Sequence, residues 1–120
     1  MTDITAGHDP DGTPPLTEAT FLILLSLTAG PLHGYAIIKI VAQLSQQRMT
    51  LSTGTLYGVL KRLLAAGWIE RVAERDPDAT TRTPIVYELT ERGRRMLTAE
   101  TARLRALVQA ADQQIAPEGI

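Results

Sequence analysis

Ser52, Thr53, Gly54, Thr55, Tyr57, Lys61 and Arg62 fall within one short stretch, and no carboxylate lies anywhere from Leu51 to Ile69. Hydroxyls can exchange hydrogen bonds with base edges, cations can meet phosphates, and a glycine lets a phosphate approach backbone N–H groups. This is binding chemistry suited to nucleic acid rather than covalent catalysis. Other chemistries find little support. There are no cysteines, which excludes disulfides, thiolate nucleophiles and Cys-based zinc sites. His8 and His33 are far apart, and His33 before Gly34 reads as a cap or turn residue. Asp76-Pro77-Asp78 has a metal-like spacing but reads as a turn, so no metal and no cofactor are expected. No Ser/His/Asp set, paired carboxylates on ordered elements or phosphate loop is visible, so an enzyme is not expected.

The elements that must hold these residues can be read from caps and periodicity. Ser52 suits the N-cap of a helix, Leu51 and Leu56 have the spacing of a hydrophobic staple, and Gly67 suits the position just past its end. Leu56, Val59, Leu60, Leu63 and Leu64 form the apolar stripe. Thr53, Tyr57, Lys61 and Ala65 form the opposite face, bordered by Thr55, Gly58 and Arg62. An ordinary amphipathic helix with a solvated face would read the same way, so the neighbouring elements decide.

Upstream, Thr17 caps a helix whose body, Ala19 to Leu27, is apolar nearly all round, with Leu16 and Phe21 as its staple and Gly30-Pro31 as its stop. A second helix is expected over roughly Gly34 to Leu44. Ile37, Ile38, Val41 and Leu44 would be buried, and Lys39 and Gln43 would face out. Two short connections thus place the Thr/Tyr/Lys helix third, the order of a helix-turn-helix domain. Downstream, Trp68 to Arg75 alternates roughly as a strand, Asp76 to Thr81 is a turn cluster, and Pro84 to Leu89 is a second strand. Together they predict a hairpin wing. Thr90 then caps a last helix to about Gln114. Leu97, Thr101, Leu104, Val108, Ala111 and Ile115 step along it by fours and threes as a heptad seam, widened by Met96 and Leu107. A helix of that length exceeds what so small a core needs, so a homodimer is expected through this seam. Folding back on its own domain is the other reading.

The expected fold class is therefore mainly α with a small β-hairpin wing: a winged helix-turn-helix plus a long C-terminal dimerisation helix. Residues 1–15 are expected to be a flexible tail, 16–90 the DNA-binding domain, 91–115 the dimerisation helix and 116–120 a frayed end. The 120 residues, 44% hydrophobic and 21% charged, suit one soluble domain. The net charge of −1 conceals an uneven distribution. Residues 1–18 hold four acids and no cation, whereas residues 39–75 hold six cations and two acids. No basic region precedes an apolar run at the N-terminus, and the run Phe21 to Leu27 is too short for a membrane span. A cytoplasmic protein with no membrane partner is expected.

His33-Gly34-Tyr35, Leu51-Ser52-Thr53-Gly54-Thr55-Leu56-Tyr57 with Leu60, Arg62, Leu63 and Gly67, and Tyr87-Glu88-Leu89-Thr90 with Gly93 together resemble the PadR-like family of winged-helix transcriptional regulators. The match runs from about Leu16 to Leu104. The single trailing helix is similar to the family's short subgroup. The resemblance implies a dimer on an inverted-repeat operator in double-stranded DNA, usually as a repressor. Two features depart from the family pattern. Trp68 replaces a smaller aliphatic residue, and the second wing strand has no basic cluster, leaving Arg71, Arg75 and Arg82 to meet phosphate.

The residues expected to bind DNA are Ser52, Thr53, Gly54, Thr55, Tyr57, Lys61, Arg62, Arg71, Arg75 and Arg82. Tyr57 has two readings, a DNA contact or packing against the turn. Arg62 also has two, DNA or an acid on the wing. Trp68 reads as a core plug at the wing's base, with an aromatic wall for a small apolar or aromatic effector as the sharper alternative. For the whole protein, the reading that competes with DNA binding is a winged-helix module whose third helix meets a protein.

Overall fold

The computed structural model describes residues 16–72 and 85–116. The expected 1–15 tail, the turn cluster Asp76–Thr81, the sites Arg75 and Arg82, and most of the 116–120 end lie outside the described residues. The element order is α1 (Glu18–Ser26), β1 (Leu32–His33), α2 (Gly34–Leu44), α3 (Thr53–Ala66), β2 (Ile69–Val72), β3 (Val86–Leu89) and α4 (Glu91–Ile115).

Three of the helices start where a short hydroxyl residue can cap them. The side-chain oxygens of Thr17, Ser52 and Thr90 accept from the N–H groups of Thr20, Thr55 and Gly93. Helix α1 is the centre of the core: Ile23, Leu24 and Leu27 are essentially inaccessible, and Leu16 and Phe21 pack against the same cluster. It ends earlier than Gly30 suggested. Leu27 is its C-cap, and the Thr28 hydroxyl donates to the carbonyl of Leu25. Gly30, at φ 152, bends the connection instead.

Helix α2 buries Ile37 and Val41, but Leu44, expected inside, is 44% exposed. The turn into α3 is built by Ser45, whose hydroxyl donates to the Ala42 carbonyl and accepts from the Met49 N–H. Gln46 and Gln47 take left-handed φ of 56° and 67° there, a cost of about 1 kcal/mol or more each for non-glycine residues. Helix α3 buries Leu56, Val59, Leu60 and Leu63 and ends at Gly67 with φ 80. That left-handed geometry lets the Gly67 and Trp68 N–H groups reach the carbonyls of Leu64 and Leu63.

The wing differs from the expected two-stranded hairpin. β2 and β3 pair antiparallel with Ile69 opposite Leu89 and Val72 opposite Val86, and β1 adds a third strand on the other edge of β3. The expected alternation along Trp68–Val72 also fails. Trp68 and Ile69 are both buried, and Glu70 and Arg71 both exposed. The reason is that Trp68 precedes the strand and belongs to the junction with α4, where its carbonyl accepts from the Thr90 N–H.

Helix α4 leaves the sheet through this junction. Its proximal half is part of the core, with Gly93, Leu97 and Glu100 buried. Glu100 is held by the Arg103 guanidinium, whose Nε donates to Oε1 at 2.9 Å, and by the backbone of Leu16. The hydrogen bonds from Arg103 are the main cause that holds its carboxyl below the usual range, against the opposing effect of burial. A carboxylate with a lowered folded-state pKa stabilises the fold above its unfolded pKa. That contribution is lost as the pH falls below about 4, the ordinary carboxylate range. Glu100→Gln is expected to cost about 1.5 kcal/mol at neutral pH, because Arg103 is partly exposed and water takes over part of its hydrogen bonding. The variant should also flatten the acid limb of a plot of stability against pH. An acid limb identical to that of the parent would show that Glu100 does not carry it.

Candidate nucleic-acid interface

The face of α3 opposite its buried stripe is open. Thr53, Gly54, Thr55, Tyr57, Lys61, Arg62 and Ala65 are all exposed. Caps at both ends fix the rotation of this helix, and the core stripe turns the hydroxyl and cationic residues outward. Neither α2 nor α3 contains a carboxylate, so nothing on either helix repels a phosphate.

The individual side chains are not equivalent. The Ser52 hydroxyl accepts from the Thr55 N–H at 3.1 Å and lies 3.0 Å from the Thr55 hydroxyl. Its donor is used within the cap, which removes Ser52 from the side chains free to donate to DNA. Thr55 shares in that cap, whereas Thr53 stands on the open face. Gly54 has nothing within 4 Å of the position a Cβ would take. The first intrahelical bond is donated by Leu56 to the Ser52 carbonyl, so the N–H groups of Thr53 and Gly54 point out of the helix end with no intrahelical acceptor.

Tyr57 combines its two expected roles. It is 49% exposed, yet its hydroxyl lies 2.6 Å from where a Cβ on Gly34 would be. The missing side chain at Gly34 thus creates the seat for the phenol at the start of α2. Arg62 makes no ion pair among the described residues, and its guanidinium lies beside Gly58 rather than on an acid of the described wing. Arg71 is exposed on edge strand β2. Nearby, Glu70 and Glu88 are directly opposite one another, which dilutes the positive potential of the wing.

Trp68 takes the first of its two readings, and the heptad seam is redrawn. Trp68 is 7% exposed and belongs to the core. Its ring is a plug at the base of the wing, not the wall of an open effector site, because stacking on it would require displacing core neighbours. A hollow at the start of α4, lined by Leu89, Thr90, Glu91, Arg94, Arg95, Thr98 and Ala99, does not include it. In the heptad seam, Leu97 is buried within the chain's own core and cannot serve a partner. Thr101 and Leu104 are half-buried, and the Thr101 hydroxyl donates to the Leu97 carbonyl. Val108, Ala111 and Ile115 are exposed, as is Leu107. Among the described residues no group of three or more His, Asp or Glu could hold a metal ion, and no helix is long and apolar enough to cross a membrane.

Residues 23–99 match the transcriptional regulator PadR-like family. An uncharacterized 37.1 kDa protein in transposon TN4556 of Streptomyces fradiae is 41% identical over 76 residues, 62% of this chain and 21% of that protein. The chain thus spans about a fifth of the length of that relative. A PadR family transcription regulator from Clostridium difficile superposes with a TM-score of 0.67 at 22% identity, over 83% of this chain and 100% of that one. Bacillus subtilis PadR in complex with operator DNA superposes with a TM-score of 0.56 at 24% identity, over 84% of this chain and 49% of that one. At these identities the two structures show a shared fold.

Proposed function

The chain belongs to the PadR-like family of transcriptional regulators, and from that premise we propose that it binds operator DNA as a homodimer and represses transcription by occupying a promoter. The observation that carries this reading is the carboxylate-free, outward-facing side of α3, with Thr53, Gly54, Tyr57, Lys61 and Arg62 exposed beside a small wing. A recognition helix must offer short polar groups to base edges at its N-terminal end and cations to the flanking backbone, and α3 offers both in that order. The exposed distal half of α4 supplies the dimer contact, so that two copies of α3 address the two halves of an inverted repeat. Residues 16–90 form the DNA-binding unit and 91–115 the dimerisation helix, whose proximal part also packs on the core. The family's bound operator DNA, seen for Bacillus subtilis PadR, supports this reading by analogy of fold.

The division of labour on α3 is testable. Lys61 serves the phosphate backbone and Thr53 a base edge. Lys61→Ala should therefore weaken binding to operator and random DNA alike and lower the salt slope by roughly 1. Thr53→Ala should lose about 1–3 kcal/mol on the operator and little on random DNA. The DNA fragment to use is the region upstream of the protein's own coding sequence. If both folded variants keep the parent's salt slope and discrimination, α3 is not the reading element. It would then serve a protein-binding module instead.

A further inference from the structure

We propose that Thr90 is a positioning residue for operator binding. It ties the end of α3 to the start of α4, and so sets the separation of the two recognition helices in the dimer and the half-site spacing that the protein accepts. The proposal rests on the homodimer reading above and assigns the residue that fixes its geometry.

Four contacts meet at one corner of the fold. The Thr90 hydroxyl donates to the Gly67 carbonyl at 2.7 Å. Gly67 is the left-handed C-cap of α3, so this bond grips the end of the recognition helix. The Thr90 N–H donates to the Trp68 carbonyl at 3.0 Å, one step beyond the last β2–β3 pair, Ile69 with Leu89. The same hydroxyl accepts from the Gly93 N–H at 3.0 Å and thereby caps α4. Gly93 in turn presents no side chain where the Trp68 carbonyl lies, which lets α4 start this close. One hydroxyl thus serves two helices, as donor to α3 and as acceptor from α4.

At this corner the orientation of α3 is passed to the dimer. Among the described residues α3 and α4 are not packed side by side; they meet at their ends. Helix α4 then carries the exposed Val108 and Ile115 of the proposed dimer contact. At ~1.5 Å per residue Val108 lies about 27 Å beyond Thr90, so a tilt of about 10° at the corner displaces it by roughly 5 Å. One base pair of spacer shifts a half-site by only ~3.4 Å and turns it by about 35°. A dimer that favours one spacing therefore needs a fixed angle between α3 and α4. Apolar packing around Leu97 holds α4 against the core but is non-directional. The hydrogen bonds of Thr90 are directional and set that angle.

The test uses the full chain and the inverted repeat footprinted in the region upstream of its own coding sequence. Duplexes with the central spacer shortened or lengthened by one base pair are compared. Preference is read as the affinity ratio between spacers within one variant, so a uniform change in affinity cancels. The parent should lose about tenfold or more for a one-base-pair change, because the linked second contact falls out of register. Thr90→Asp keeps the cap, since a carboxylate also accepts from the Gly93 N–H, but it has no proton for the Gly67 carbonyl. It should stay folded and dimeric, with its spacer preference reduced to less than about threefold. Thr90→Ser retains both bonds and should keep the parent's preference. If Thr90→Asp fails to fold, Thr90→Val, which keeps the shape and removes the hydroxyl, carries the same reading. A parent-like preference in Thr90→Asp, or loss of its dimer, overturns the proposal, as does a lost preference in Thr90→Ser. A dimeric parent indifferent to spacer length overturns it too and leaves the dimer reading intact. A parent that sediments as a monomer, or leaves no footprint, overturns the reading beneath the proposal and the proposal with it.

Discussion

Gly93→Ala is expected to lose several kilocalories per mole of folding stability. The methyl group would sit 2.0 Å from the Trp68 carbonyl oxygen and 2.8 Å from its carbon, inside the contact distance of any side chain. These are backbone atoms, so no rotamer change relieves the clash. Relief requires α4 to move away from the β2 junction. That movement strains the Thr90 N–H bond to the Trp68 carbonyl and the bond from the Thr90 hydroxyl to the Gly67 carbonyl. Overpacking in a closed site typically costs 1–3 kcal/mol, and a backbone obstacle places this variant at or above the top of that range, about 3 kcal/mol. For a domain of this size the melting temperature should fall by roughly 12–24 °C. Gly54→Ala is the internal control. Its methyl meets nothing within 4 Å, so the melting temperature should hardly change. Thermal unfolding followed by circular dichroism decides the matter. A Gly93→Ala protein melting within a few degrees of the parent would mean that the α4 junction is looser than the close approach implies.

Val108→Asp is expected to leave the fold of the single chain intact and to abolish its assembly. Val108 is 58% exposed in the isolated chain, so a charge there meets water rather than core. In the proposed dimer the same position is desolvated, and an unpaired carboxylate is costly. Sedimentation should therefore show a monomer. With the two half-sites no longer addressed together, operator affinity should drop roughly 100-fold or more, as expected when a linked second contact is lost. The parent's melting temperature should rise with protein concentration, because binding to a partner stabilises the folded state, and the variant's should not. A dimer unchanged by the substitution would move the interface off this face of α4.

What was legible in the sequence follows from the range of the interactions involved. The caps at Thr17, Ser52 and Thr90, the stop at Gly67 and the apolar stripe of α3 are written within a few neighbouring residues, and all appear as expected. The outward direction of Thr53, Tyr57 and Lys61 follows from that stripe by helical periodicity alone. The mainly helical class with a small wing and a long last helix follows from the order of such signals.

Only the tertiary structure decided the rest, because the contacts concerned join residues distant in sequence. β1 spans two residues, too few to show any period, and exists only because β3 offers it a free edge. A heptad seam cannot tell which of its positions its own chain will use. Packing of α4 against the core took Leu97 and left Val108 and Ile115 outside. Tyr57 could not be assigned a role from its own helix, since the space it fills is the side chain missing at Gly34. Gly93 entered the sequence reading only through the family resemblance, because the Trp68 carbonyl that lies against it belongs to a distant part of the chain. Nothing adjacent to Glu100 in the sequence marks it, because its structural role comes from burial and from the backbone of Leu16, far away along the chain. Local patterns determined which elements form and which faces they bury, because those choices depend on neighbours along the chain. The close approaches between elements, set by packing across the core, determined which of the exposed residues are free to meet a partner.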